Sequence, residues 1–253
     1  KMWDSPPMKL EEVVDYQNAL LRIADYPDYP NALNGLQIEN SGTVTKVAAA
    51  VDACEAVLQM AVSQGADLLI VHHGLFWAGL RTVTGAHYRK LKKALENNLA
   101  IYSAHLPLDA HPEIGNNAVL CNALGLPQPR GPFLEIGWQV EAQRDRQDLH
   151  RQIQEAVGGK VHFCFGGPAT TRRIGVVTGG AGGEVFKAAA EGVDTFITGE
   201  GPHWSFTEAE ELGLNVFYAG HYATEVFGVR EMAKSLQRTF GLPWTFLDHP
   251  TGL

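Results

Sequence analysis

Nowhere does the 253-residue sequence hold an uninterrupted apolar run near the ~18 residues that span a bilayer. Its opening, K-M-W-D-S-P-P-M-K-L, lacks the apolar core of a signal peptide, so the cytoplasm is the expected location. Lys1 ahead of Met2 reads as an appended residue, and roughly the first seven residues are set aside from fold reasoning. Cysteine is scarce: Cys54, Cys121 and Cys164 are widely spaced with no C-x-x-C, which speaks against a disulfide framework and for core residues in a reducing compartment. No run of five or six like charges occurs, and the formal net charge of -8 comes from scattered acids. A polybasic membrane patch is therefore excluded, and nucleic acid is a poor fit as a partner. The Gly-rich stretch T178-G-G-A-G-G183 is not followed by Gly-Lys-Ser/Thr and misses the G-x-G-x-x-G spacing, so it reads as a tight turn rather than a phosphate cradle.

What is present suits a globular protein: 45% apolar and 19% charged residues, enough chain for one large domain or two of ordinary size. A helical pattern runs from Met8 to Ile23 and ends at the turn D-Y-P-D-Y-P-N. A strand at 44–51, a helix at 55–64 and the apolar run G65-A-D-L-L-I-V-H-H73 then compose a β-α-β unit. The same order returns as strand 173–178, helix 184–191 and G192-V-D-T-F-I-T-G-E200. Gly192 − Gly65, Asp194 − Asp67, Ile197 − Ile70 and Ile174 − Val47 are all 127. One strand further, L99-A-I-Y-S-A-H-L-P-L-D109 resembles L214-N-V-F-Y-A-G-H-Y-A-T-E225. Both end in His-x-x-x-acid, with His221 − His105 and Glu225 − Asp109 both 116.

The fold class is thus α/β, in two related halves that offer polar residues where strands end, the usual place for ligands in open α/β sheets. The Pro/Gly cluster at 125–132 is a natural linker. The expected organisation is a first half over residues 1–126 and a second over 127–225, with a C-terminal helix and strand at 226–253 packing back on the first. Added strands are expected within 133–141 and 160–165, flanking a helix near 146–157.

Five side chains at strand ends carry metal-ligating atoms: His72, His73, Asp109, His221 and Glu225. Imidazole with carboxylate suits Zn, Mn, Fe, Co or Ni, and no thiolate favours a structural zinc site. Five donors exceed what one catalytic ion takes, whereas two divalent ions sharing a carboxylate would use them all. Adjacent histidines on a strand point to opposite faces, so both can serve one region only if the backbone turns after them, a role open to Gly74. The blander readings are a hydrogen-bonded His-His pair and an ordinary i,i+4 contact for each His-x-x-x-acid.

The segments N34-G-L-Q-I38, V71-H-H-G-L-F-W77, S103-A-H-L-P-L-D109, T198-G-E and G220-H-Y-A-T-E225 together resemble the NIF-three-like dinuclear-metal family, the GTP cyclohydrolase I type 2 homologues. The resemblance covers nearly the whole chain, in the short form without an inserted domain. It implies mixed sheets in two like α/β domains, a two-metal site at strand ends between the halves, and a homo-oligomeric, hexameric ring. It also implies His72, His73, Asp109, His221 and Glu225 as ligands, Glu225 as the bridge, and His105 as an outer-shell or substrate-side residue.

The 127-residue offset places Gly199 and Glu200 where the first half has His72 and His73, with His203 close behind. Glu200, His203 and His105 are therefore the expected catalytic assistants, moving protons or holding a ligand. A metal-dependent hydrolase of a small-molecule substrate, GTP among the candidates, competes with a non-enzymatic metal-binding, trafficking or scaffold protein.

Overall fold

The computed structural model describes residues 7–77 and 79–253, so the opening segment set aside above falls outside it apart from Pro7. The first elements are a short strand β1 (Met8–Lys9), helix α1 (Leu10–Leu21), β2 (Gly35–Ile38), β3 (Thr43–Val44), β4 (Val47–Asp52), α2 (Glu55–Ser63), β5 (Leu68–His73), α3 (Gly85–Glu96) and β6 (Ala100–Ser103). A single turn, α4 (Leu106–Asp109), leads on to α5 (Asn116–Ala123), the hairpin β7 (Gly131–Phe133) and β8 (Gly137–Glu141), α6 (Arg146–Val157), β9 (His162–Phe165) and β10 (Arg173–Val176). Then follow α7 (Val185–Ala190), β11 (Thr195–Thr198), α8 (Trp204–Glu211), β12 (Asn215–Tyr218), α9 (His221–Phe240) and β13 (Trp244–Phe246).

Two compact units divide the chain. One runs to Leu108 and takes up Gly228–His249, and the other comprises Asp109–Phe227 with Pro250–Leu253. The first holds a five-stranded sheet in the order β13-β4-β5-β6-β2, parallel except for β2. Leu68, Leu69, Ile70 and Val71 are all fully buried, as a strand covered on both faces requires. One face packs Leu69 and Val71 with Ala48, Ala50 and Ile101 against Val57, Leu58 and Ala61 of α2. Burying each Leu or Val there contributes about 1.5–3 kcal/mol.

The second unit holds a six-stranded sheet, β7-β8-β10-β11-β12-β9, with a parallel centre and antiparallel neighbours. The Pro/Gly cluster at 125–132 lies within this unit and runs into β7. Helix α6 spans the expected residues and starts where Asp145 accepts from the amides of Gln147 (2.9 Å) and Asp148 (3.0 Å). Its end is a left-handed glycine, Gly158, with φ 68°.

The internal repeat extends to strand register. Val47, Ala48 and Ala49 pair with Leu68, Leu69 and Ile70, while Ile174, Gly175 and Val176 pair with Thr195, Phe196 and Ile197. Each pair is the other displaced by 127 residues, from 174 − 47 and 195 − 68. The turns also match: Asp67 accepts from the amide of Lys46 (3.1 Å), and Asp194 from that of Arg173 (3.4 Å).

Several boundaries differ from the sequence reading. The last helix, expected from residue 226, begins at His221, so His221 and Glu225 lie on its first turn rather than at a strand end. The helix expected from Met8 begins at Leu10, because Met8 and Lys9 pair antiparallel with Val44 and Thr43. The strand expected from Val44 is interrupted after β3, where the Asp67 carboxylate takes the amides of Thr45 and Lys46 away from sheet pairing. All three cysteines are free, with Cys121 and Cys164 buried, and burial pushes the Cys121 thiol up to about 12.

Gln17 in α1 is 1% exposed, and neither atom of its amide group meets a hydrogen-bond partner among the described residues. An unsatisfied buried amide costs more than an apolar side chain of similar size. Gln17→Leu is therefore expected to raise stability by about 1–2 kcal/mol, read as a higher urea midpoint. A lower midpoint would mean that the amide is satisfied in solution.

Candidate metal centre

In the first unit the carboxyl ends of β5 and β6 bring three histidines together. One ring nitrogen each of His72, His73 and His105 lies within 4.8 Å of the others. His72 is fully buried, and its Nδ1 lies 2.9 Å from the carbonyl oxygen of Ala104, just past β6. A carbonyl only accepts, so Nδ1 carries the proton and Nε2 keeps its lone pair. His73 Nδ1 is 2.8 Å from Asp52 Oδ1, a partner set by the β4–β5 register, which pairs Asp52 with His73. His105 Nδ1 is 3.0 Å from Asp28 Oδ1.

Asp28 is itself held by Asn34 Nδ2 at 2.8 Å and by the Leu106 amide at 3.1 Å. Burial works to raise its pKa, but hydrogen bonds from His105 and Asn34 overcome this and hold the carboxyl below its ordinary value. Trp77 packs edge-on to His105 with ring centroids 4.6 Å apart, and so forms part of the wall.

The adjacent histidines end β5, and their ring centroids lie 4.8 Å apart. Gly74, whose φ is not positive, leaves space there. A Cβ on it would stand 2.5 Å from Gln37 Oε1, the acceptor of the Leu75 amide at 2.7 Å.

In the second unit, His221 opens α9 with Nδ1 2.8 Å from Glu200 Oε1 and Nε2 3.1 Å from Glu225 Oε1, one turn along the helix. Glu225 is 3% exposed. Its hydrogen bond to His221 leads the other causes in pushing that imidazole up to about 9, against the opposing effect of burial. Asp109 accepts from Asn116 Nδ2 at 2.8 Å, and its backbone carbonyl accepts from Asn117 Nδ2 at 3.1 Å.

The Gly-rich turn lies against Glu225 and His221. Gly179 has φ 69°, and a Cβ there would collide with Glu225 Oε1 and lie 3.4 Å from His221 Nε2. At Gly199, the repeat position of His72, a Cβ would stand 2.8 Å from the His221 Cα, so the start of α9 fills the place that a second histidine pair would occupy. His203 immediately precedes α8 and is exposed, and Trp204 is also exposed, stacked on Phe186 at 6.1 Å.

Sequence reasoning singles out neither Asp28, Asn34, Asp52, Asn116 nor Asn117 for a role. Asp52 carries a usable signal, a carboxylate closing an apolar strand beside the His73 strand. Asp28 carries none, since 77 residues separate it from His105.

In the metal-free protein the raised His221 pKa stabilises the fold fully below the ordinary value of 6.5, and that contribution is lost as pH rises through about 9. Chelator-treated protein is thus expected to show a falling urea midpoint between these values. A midpoint that holds steady or rises over the same window would contradict the His221–Glu225 ion pair.

A family model described as Duf34/NIF3 (NGG1p interacting factor 3) matches residues 8–251. A Deinococcus radiodurans protein named GTP cyclohydrolase 1 type 2 homolog is 43% identical over 249 residues, covering 96% of this chain and 94% of that protein. An Escherichia coli K12 protein of the same name is 40% identical over 250 residues, covering 96% and 99%. The crystal structure of TTHA1606 from Thermus thermophilus is similar with a TM-score of 0.92 and 44% identity, covering 97% of this chain and all 100% of that one. Reduced HcgD from Methanocaldococcus jannaschii is similar with a TM-score of 0.85 at 26% identity, covering 97% and 100%.

Proposed function

Since this chain belongs to the Duf34/NIF3 family, we propose that it binds divalent transition-metal ions and uses them in hydrolysis or water addition on a small-molecule substrate. The donors are His72 and His73 of the first unit and Asp109, His221 and Glu225 of the second. One observation carries this reading: His72 and His73 are each anchored at Nδ1 by a carbonyl or carboxylate, which presents Nε2 as the donor, while His221, anchored at Nδ1 by Glu200, turns its Nε2 to Glu225. Imidazoles tied in this way are typical of metal ligands, because the outer partner fixes both tautomer and ring orientation. In the second unit the His221–Glu225 ion pair puts positive charge beside a buried carboxylate, as a bound cation would.

When bound, such ions polarise an electrophile and lower the pKa of water. The chain's own residues orient and exchange protons around that chemistry. Glu200 holds His221 in place through its 2.8 Å contact. His203, exposed at the start of α8, is positioned to trade protons with solvent. The name shared by the curated relatives makes GTP the first substrate to test. The family resemblance likewise supports a homo-oligomer, with a hexameric ring as the state to check by light scattering.

Elemental analysis of protein purified without chelator or an affinity-metal column tests the reading. About two transition-metal ions per chain are expected, with fewer in His221→Ala and Glu225→Gln. Failure to retain Zn, Mn, Fe, Co or Ni after incubation would overturn it. Metal-dependent GTP turnover would then separate an enzyme from a metal carrier.

A further inference from the structure

Large hydrophobic side chains that stand exposed among the described residues gather in two places. Of twelve, Leu80, Val83, Tyr88 and Leu95 lie on α3 or the segment before it, while Phe186, Trp204, Phe206 and Leu212 lie on α7, on α8 or next after α8. Scattered single exposures are ordinary on a protein surface, whereas eight gathered on two short segments mark surfaces that meet a partner.

The two places carry opposite charge. Residues 81–93 contain five of the chain's 20 Lys and Arg and none of its 28 Asp and Glu. Three of the five are engaged within their own unit: Arg89 with Glu55 at 3.0 Å, Lys90 with the Ala53 carbonyl at 3.3 Å and Lys93 with Gln59 Oε1 at 2.5 Å. Lys92 stays outside, its Nζ 5.9 Å from the Tyr88 ring centroid and 3.6 Å from Glu96, and Arg81 meets no acid among the described residues. On α8, Glu208, Glu210 and Glu211 pair with no cation among the described residues. The helical spacing also matches. Tyr88, Lys92 and Leu95 stand at i, i+4 and i+7 of α3, and Trp204, Glu208 and Glu211 at i, i+4 and i+7 of α8, so each set is one stripe about 10 Å long.

We propose that α3 of one copy of this chain docks on α8 of a second copy, with Tyr88 and Trp204 as apolar anchors and Arg81 and Lys92 meeting Glu208 and Glu211. Aromatic rings ringed by complementary charge are what such contacts use, the rings for affinity and the charges for register. The occupant is a second copy rather than nucleic acid, because most of the α3 cations are already engaged and the matching carboxylates stand unpaired on the same chain. The two faces differ, so the contact is heterologous: each chain uses both, and repetition builds a ring where the rotation closes. The proposal rests on the homo-oligomer reading above and names the contact that holds it.

Light scattering of the full chain after size exclusion tests the contact, with circular dichroism of each variant as the control for folding. The wild type is expected well above the 27.5 kDa of a single chain. Arg81→Glu with Lys92→Glu should lower the mass at least about twofold, and so should Glu208→Lys with Glu211→Lys, because like charges then face one another. All four substitutions in one chain restore opposite signs with their sense reversed, and should return the mass to the wild-type value. Such recovery separates a charge-matched contact from damage to either helix, which further substitutions would not repair. Unchanged masses in both pairs would overturn the contact and leave the homo-oligomer standing. Loss in one pair alone, or no recovery in the fourfold variant, would overturn the pairing of α3 with α8 and give the sensitive face to another partner. A wild type with the mass of one chain would overturn both this proposal and the homo-oligomer reading beneath it.

Discussion

Gly179→Ala is expected to cost about 2–4 kcal/mol of stability and to lower metal affinity at the second unit's donors on the order of 100-fold. The backbone at Gly179 has φ 69°, where any residue with a Cβ pays about 1–2 kcal/mol. The added methyl would overlap Glu225 Oε1 and approach its Cδ to 3.2 Å and His221 Nε2 to 3.4 Å. Neither donor can give way freely, since Glu225 is 3% exposed and His221 is held by Glu200 at 2.8 Å. The turn is fixed from its other side as well, because the Gly179 carbonyl accepts from the amides of Gly199 and Glu200, both at 2.9 Å. Gly183→Ala is the matched control: its φ is not left-handed and the nearest atom to a new Cβ is Pro202 Cδ at 3.9 Å, so stability and affinity should stay near wild type. Calorimetric metal titration and urea unfolding of both variants read the outcome. Equal behaviour of the two would show that the turn does not constrain the donors.

Asp67→Ala is expected to destabilise the protein by about 3 kcal/mol, with Asp194→Ala costing less, roughly 2 kcal/mol. The Asp67 carboxylate accepts from the Thr45 amide at 2.8 Å, Thr45 Oγ1 at 2.5 Å and the Lys46 amide at 3.1 Å. Removing it strands those amides at the bend between β3 and β4, where strand pairing cannot reclaim them. At the repeat position, Asp194 accepts from the Arg172 amide at 2.8 Å and Thr195 Oγ1 at 2.9 Å, with the Arg173 amide farther off at 3.4 Å. The weaker third bond sets the order of the two effects. Denaturant unfolding followed by circular dichroism checks both, and losses under about 1 kcal/mol at each would remove the claim that these carboxylates hold the repeated turns.

Much of this protein is legible in one dimension. Apolar runs bounded by turn residues mark β4, β5, β10 and β11, because a strand buried on both faces needs continuous hydrophobicity. The 127-residue offset between the halves carries enough information to anticipate matching register, since equal spacing between strands and turns leaves equal pairing. The His-His-Gly and His-x-x-x-acid motifs locate side chains able to ligate a metal, as their chemistry is intrinsic to the side chains. Helices α3, α5 and α8 are not legible in the same way. The strongly polar α3 and the Asn-rich start of α5 carry weaker signals than the strands around them, and α5 forms where Asn116 and Asn117 are buried and bonded to Asp109.

Only the tertiary structure decided which groups anchor the histidines. Asp28, in the loop between α1 and β2, meets His105 across 77 residues and Asp52 meets His73 across 21, and such pairings exist only once separate segments of the chain lie side by side. The purpose of Gly74, Gly179 and Gly199 was equally hidden. A sequence shows that a side chain is missing, but the atom that would collide with it belongs to a segment brought there by folding. Residue type and spacing determined what chemistry this chain can offer, whereas packing decided which nitrogen of His72 carries the proton, because a hydrogen bond from Nδ1 to a carbonyl selects the tautomer.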